Sequence, residues 1–332
     1  MDIRHLLVFF PLALAAAAVA GAAEGLELQG HRGARGLAPE NTLAAFAKAL
    51  SLGVTTLELD VGVSADGVVV VAHDSHLNPA IVRGADGKWL SAKGPALSDL
   101  TLAELRRYDV GRIDPQSRYA RQFPHQQAVD GAFIPTLAEV VALTRKAGNT
   151  AVRFNIETKL RPGNEGGAAD AEAFADAVLA VIEAEGIAGR TTVQSFDWRT
   201  LRHVQRVAPA ITTAYLSAQQ KWLDNIEKAR PGASSWTAGF DVDAFGGSLP
   251  RLVKAAGGRV WSPFHKEVDA AQLEEAHRLG LRVVVWTVNE AERMGALIDL
   301  GVDGIISDYP DRLRRVLAEK GRPLPAPTPV EP

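Results

Sequence analysis

Past residue 24 the chain alternates short apolar runs with longer stretches of helical periodicity, almost to its end. Strand-like runs are Leu28 to Gly33, Thr56 to Gly62, Val152 to Lys159, Thr192 to Phe196, Thr212 to Leu216, Arg259 to Ser262, Arg282 to Val288 and Gly304 to Ser307. Helical patterns between them include Asn41 to Leu52, Ala171 to Glu185, Trp198 to Val207, Val268 to Leu279 and Glu290 to Leu300. Alternating β and α elements predict a parallel sheet with right-handed crossovers, and eight strands predict an α/β fold of the TIM (β/α)8 barrel type. A doubly wound open sheet gives the same local pattern. One run breaks the rhythm: Val68 to His73 follows Thr56 to Gly62 through Ala65-Asp66-Gly67 only. Asp-Gly in so short a connection predicts a hairpin, so this strand runs antiparallel. Residues 75–127, with scattered Gly and Pro and one modest helix near Leu100 to Tyr108, read as an insertion after the second barrel strand, placed where a cap would face substrate.

The ends of the chain differ from the body. Arg4, the apolar run Leu6 to Ala20 and the small residues Ala20-Gly21-Ala22 predict a cleavable signal peptide over residues 1–23 and a periplasmic or secreted protein. The run is shorter than a spanning helix and contains Pro11, so no stable membrane anchor is expected after cleavage. The single domain then covers 24–320. Five prolines within Gly321 to Pro332 predict a disordered tail. A hydrophobic share of 47% and 23% charged residues fit a globular enzyme, and a net charge of -3 argues against nucleic acid as a partner. The absence of cysteine excludes thiolate chemistry and a lipid-modified N-terminus. No dinucleotide or P-loop glycine pattern and no internal repeat occurs, and nothing in the pattern specifies an oligomer.

Chemistry gathers at predicted strand ends. Side chains alternate along a strand, so Glu58 and Asp60 share one face against Leu57, Leu59 and Val61. Asn155, Glu157 and Lys159 likewise point together, opposite Phe154 and Ile156. In a barrel the apolar set packs on the helices and the polar set points inward, where an unpartnered carboxylate is very costly. Glu58, Asp60 and Glu157 then either hold a hard divalent cation, Ca2+ or Mg2+, or pair internally with Arg32 and Lys159. Among eight histidines, His31 and His73 each end an apolar strand, the place where barrel enzymes carry catalytic groups, and two of them beside carboxylates suggest an acid and a base.

An ordered series of motifs now carries a resemblance. His31-Arg32-Gly33 with Pro39-Glu40-Asn41-Thr42, Glu58-Leu59-Asp60-Val61, Val71-Ala72-His73-Asp74, Asn155 to Lys159, Gln194-Ser195-Phe196, Trp286 to Asn289 and Asp303 to Pro310 resemble the glycerophosphodiester phosphodiesterase family, over roughly residues 28–318. The resemblance implies a phospholipase-C-like TIM barrel, metal ligation by Glu58, Asp60 and Glu157, acid/base work by His31 and His73, and phosphate contacts from Arg32 and Lys159. It implies metal-dependent hydrolysis of a small-molecule glycerophosphodiester to glycerol 3-phosphate and an alcohol.

Two further residues fit that scheme in a lesser capacity. Trp286 either packs on the glycerol face or fills the core. Glu40 either caps the helix near Asn41 or supports an active-site group. Two other functions carry distinct requirements. A lysophospholipase-D or sphingomyelinase-D-like enzyme needs an apolar rim on the insertion, where Ile81 to Trp89 offers little beyond Trp89. A non-catalytic periplasmic binding protein on the same barrel would lack a histidine or carboxylate of the set, and none is missing.

Overall fold

The computed structural model describes residues 25–163, 171–228 and 230–332; the expected signal peptide, 1–23, lies outside the described residues. Eight parallel strands close a barrel: β1 (Glu27–Gly30), β2 (Thr56–Val63), β4 (Arg153–Thr158), β5 (Thr191–Ser195), β6 (Thr212–Ser217), β9 (Val260–Pro263), β10 (Arg282–Val285) and β11 (Gly304–Ser307). β1 pairs with both β2 and β11, which shuts the ring and excludes the open sheet. Helices α1 (Leu43–Leu52), α3 (Leu137–Lys146), α4 (Ala171–Ala184), α5 (Trp198–Val207), α6 (Leu249–Ala255), α7 (Ala270–Arg278), α8 (Ala291–Leu300) and α9 (Pro310–Glu319) lie outside it. Among the described residues, no helix is long and apolar enough to cross a membrane.

Strand parity decides where the core sits. Leu57, Leu59, Phe154, Ile156, Val193, Tyr215, Trp261 and Ile305 face outward into the main apolar layer under the helices. The opposite parity fills the barrel interior. Helix ends are set by local chemistry: Thr42 caps α1 by accepting from the Ala45 amide, and Thr136 with Glu139 forms a reciprocal capping box at α3. Gly53 ends α1 in the left-handed conformation at φ 79.

The expected hairpin is present. β3 (Val69–Val71) pairs antiparallel with β2, Val61 opposite Val71, and the Ala72 amide donates to the Asp60 carbonyl at 3.0 Å. Reversal therefore brings the chain back to the level of Asp60, and His73 follows at once. The insertion helix α2 is only Leu102–Leu105. Val70, Leu77, Val82, Leu97, Leu105, Val110 and Ile134 form a small core of their own. Ile134 belongs to this cluster, and regular helix resumes at α3.

The proline-rich tail, Gly321 to Pro332, meets the barrel at a few points. It forms neither helix nor strand, yet the Thr328 amide donates to the Leu50 carbonyl at 2.9 Å, Arg314 donates to the Pro325 carbonyl at 2.8 Å and Val330 packs on the main core. Closely spaced prolines disfavour helix interiors and central strands and leave an extended, tethered path along the barrel open.

Candidate active site

The first loop leaves β1 through a tight turn. Arg32 takes φ 49, Gly33 φ 84 and Asn41 φ 56. A Cβ on Gly33 would lie 2.6 Å from the Ala45 backbone, so only glycine lets this turn seat against α1. The strained turn presents the Arg32 amide to Glu58 Oε2 at 2.9 Å.

Around that turn the three expected carboxylates converge. One oxygen each from Glu58, Asp60 and Glu157 lies within 4.8 Å of the others, and all three residues are buried. The internal-pairing alternative is met in part. Lys159 donates to Glu157 Oε1 at 2.7 Å and stands 3.6 Å from Asp60; Arg32 Nε stands 3.2 Å from Asp60 Oδ2. Three negatives face two positives, and Asp60 Oδ1 is buried with no hydrogen-bond partner. Burial and the neighbouring Asp60 and Glu157 push Glu58 well up, and burial pushes Glu157 up to about 7 against the pull of Lys159. For Asp60 burial is outweighed by Arg32, His73 and Lys159, which hold it low. An excess buried negative charge and an unpartnered carboxylate oxygen fit a hard divalent cation held by Glu58, Asp60 and Glu157.

Both histidines are braced by carboxylates. His31 Nδ1 lies 2.6 Å from Asp308 Oδ1, leaving Nε2 turned toward Glu58 Oε2 at 3.9 Å. His73 Nδ1 lies 2.8 Å from Asp74 Oδ1, and Asn78 donates to the other Asp74 oxygen at 2.7 Å. Burial and Arg35 lower His31 to about 4; burial, Arg32 and Lys159 lower His73 to about 4. Both rings share one cleft of about 710 Å³ with Arg32, Glu58, Glu157 and Lys159.

The supporting residues resolve the remaining expectations. Glu40 does not cap α1, a task Thr42 performs; it accepts from Arg32 Nη1 at 2.6 Å and from the Tyr119 hydroxyl. Trp286 packs, half-buried, against the cluster of Ala214, Val260, Val284 and Ile306, donates from its indole to the Ser262 carbonyl at 2.9 Å and lines the cleft. Several residues escaped the sequence reading. Asp308, one residue past β11, accepts from Arg35 Nε at 2.8 Å and from Asn289 at 2.7 Å. Its place at a strand end was the available signal. Arg35 also reaches the Tyr119 hydroxyl at 3.1 Å, a contact across 84 residues that no spacing announces. Below the carboxylates a polar ladder rises through the barrel. Arg282 donates to Glu27, Gln29 to Glu27, Asn155 to both Gln29 and Gln194, and Gln194 to Glu58 at 2.8 Å.

A closed barrel that gathers braced imidazoles and a cation-ready acidic cluster at the carboxyl ends of its strands is a TIM-barrel enzyme. Comparison with known proteins gives the particular kind. Residues 31–312 match the Glycerophosphoryl diester phosphodiesterase family, and the chain belongs to it. A glycerophosphodiester phosphodiesterase of Caldanaerobacter subterraneus subsp. tengcongensis is 29% identical over 295 residues, which cover 88% of this chain and 97% of that protein. A crystal structure from Silicibacter pomeroyi DSS-3, named for the same family, is 38% identical with a TM-score of 0.79, covering 90% of this chain and 94% of that one. A phosphodiesterase of Oleispira antarctica, solved with the product sn-glycerol-3-phosphate, shares the fold at 22% identity and a TM-score of 0.62, covering 87% and 96%.

Proposed function

We propose that this protein hydrolyses glycerophosphodiesters to glycerol 3-phosphate and an alcohol, using a divalent cation, Ca2+ or Mg2+, and the imidazoles of His31 and His73. The observation that carries the reading is that two carboxylate-braced imidazoles share one cleft with Glu58 and Glu157, whose carboxylates converge with that of the buried Asp60. Glu58, Asp60 and Glu157 would hold the cation, which when bound offsets negative charge on the phosphoryl oxygens.

The chain's own residues do the rest. With its Nδ1 engaged by a carboxylate, each ring keeps Nε2 free for the substrate. One neutral imidazole accepts the proton of the attacking hydroxyl, from water or from the glycerol unit. The other, carrying a proton on Nε2 as the imidazolium held by its carboxylate, delivers that proton to the departing alkoxide as the O–P bond breaks, and in-line displacement puts these oxygens on opposite sides of phosphorus. Arg32 and Lys159 line the cleft as fixed cations for the phosphate, Arg32 aimed by Glu40 and Lys159 by Glu157. Trp286 flanks the glycerol. The N-terminal composition supports export, and the mature protein recovered outside the cytoplasm should begin near residue 24.

A panel of glycerophosphodiesters, assayed for glycerol 3-phosphate release with chelator and with Ca2+ or Mg2+ restored, tests the reading. Cation-dependent release of glycerol 3-phosphate is expected. Full activity in chelator overturns the metal assignment, and no release from any diester overturns the function.

A further inference from the structure

The two ends of the insertion face different ways. Residues 75–79 and Lys93 line the cleft, whereas Tyr119 to Gln127 lie outside it and turn back onto the first loop, which carries Arg32, Arg35 and Glu40. The Gln127 amide donates to the Leu37 carbonyl at 2.9 Å, and the Gln126 side chain donates to the Arg35 carbonyl at 2.7 Å. The Arg35 guanidinium lies over the Phe123 ring, 4.7 Å from its centre, and the Tyr119 ring meets Phe123 edge-to-face at 5.1 Å. A local turn delivers Tyr119 to this place: the Ser117 hydroxyl donates to the Asp114 carbonyl at 2.7 Å and accepts from the Ala120 amide at 3.1 Å.

At the Tyr119 hydroxyl two chains of contacts meet. It donates to Glu40, whose other oxygen accepts from Arg32 Nη1 at 2.6 Å. It accepts from Arg35 Nη1 at 3.1 Å, and Arg35 grips both oxygens of Asp308, at 2.8 and 3.1 Å. Asp308 Oδ1 in turn meets His31 Nδ1 at 2.6 Å. One chain therefore ends at the guanidinium that lines the cleft beside the carboxylates, and the other at an imidazole. A phenol suits the junction because one hydroxyl donates and accepts at once. Burial and the neighbouring Glu40 hold its proton far above the ordinary phenol range, so it stays a donor. Deleting the hydroxyl takes one hydrogen bond from the buried Glu40 and one from Arg35, and loosens both chains together.

Resting on the proposed roles of Arg32 and His31, we infer that Tyr119 is a positioning residue that joins the phosphate-facing arm to the acid/base arm, so that the insertion aligns the site from behind as well as bordering the cleft. Alignment of this kind matters to rate, since a displacement of about 1 Å costs about 10²-fold with every reacting group still present.

Tyr119→Phe keeps the ring against Phe123 and deletes only the hydroxyl. On the fastest diester of the panel, with its activating cation present, kcat should fall about tenfold while KM stays within about threefold of wild type. The unfolding midpoint should stay close to that of wild type. The same substitution is then placed in Glu40→Gln, which weakens the first arm, and in Asp308→Asn, which weakens the second. Its further cost should shrink to about twofold in each background, because the contacts it acts through are already impaired. Wild-type kcat in Tyr119→Phe, or an undiminished cost in either background, overturns the positioning role and leaves the phosphodiesterase reading standing. A kcat that returns to the wild-type value once corrected for an unfolded fraction marks a merely structural tyrosine and overturns it too. Failure of the wild type to cleave any diester of the panel overturns both.

Discussion

On β1, β2, β4 and β5 the inward side chains include Glu27, Gln29, Glu58, Asp60, Asn155, Glu157 and Gln194, these seven all buried; on β6, β9, β10 and β11 they include Ala214, Val260, Val284 and Ile306, buried as a small apolar cluster. Both sets occupy equivalent positions in one barrel, and their energetics have opposite sign. Burial of the apolar half contributes about 25 cal/mol per Å² removed from water. The polar half contributes little by burial and must satisfy each group with a partner. It does so largely through the ladder from Arg282 to Glu58, with Asn155 Oδ1 within it and Asp60 Oδ1 above it left without a hydrogen-bond partner. One half of the interior stabilises the barrel, and the other holds chemistry that the barrel must carry.

The sharpest way to break that comparison is at the braced imidazoles above the polar half. His31→Ala or His73→Ala should lower turnover by about 10²- to 10⁴-fold while the unfolding midpoint stays near wild type. Near-wild-type turnover in both variants would remove the histidine pair from the mechanism. Asp308→Asn keeps the shape of the brace but not its charge, and Asp308 holds both His31 and Arg35. A loss of about 10²-fold in kcat with KM little changed is expected, since the ring loses its oriented tautomer. A rise in KM alone would assign Asp308 to substrate binding instead.

Gln194→Ala cuts the ladder just below Glu58 and should weaken the apparent affinity for the activating cation by about tenfold. Its counterpart in the apolar half is Val284→Ala, which should cost about 1–2 kcal/mol of unfolding free energy and leave cation affinity alone. If the two substitutions move cation affinity equally, the halves are not functionally distinct.

The two halves also differed in how much the amino-acid sequence revealed. Glu58-Leu59-Asp60 and Asn155-Ile156-Glu157 interrupt apolar neighbours with charge, so parity alone pointed these residues inward. Val283-Val284-Val285 carries no such contrast: all three are buried, yet Val284 faces the interior and its neighbours the helices. The hairpin to His73 was legible in Asp66-Gly67, because a short connection of that kind permits little else. Arg35 and Tyr119 were not, since loops impose no period and the contact spans the insertion. The same holds for Trp222, which only a folded two-stranded hairpin, β7 (Gln219–Gln220) and β8 (Leu223–Asp224), brings to the cleft.

The central claim is that the polar half is a cation site, and thermal unfolding of the chelated protein titrated with Ca2+ and with Mg2+ tests it most directly. A cation that binds only the folded barrel raises the midpoint with its concentration, by several degrees at about a hundredfold excess over its dissociation constant. Glu157→Gln should flatten that rise. An unchanged midpoint for wild type with either ion would contradict the account.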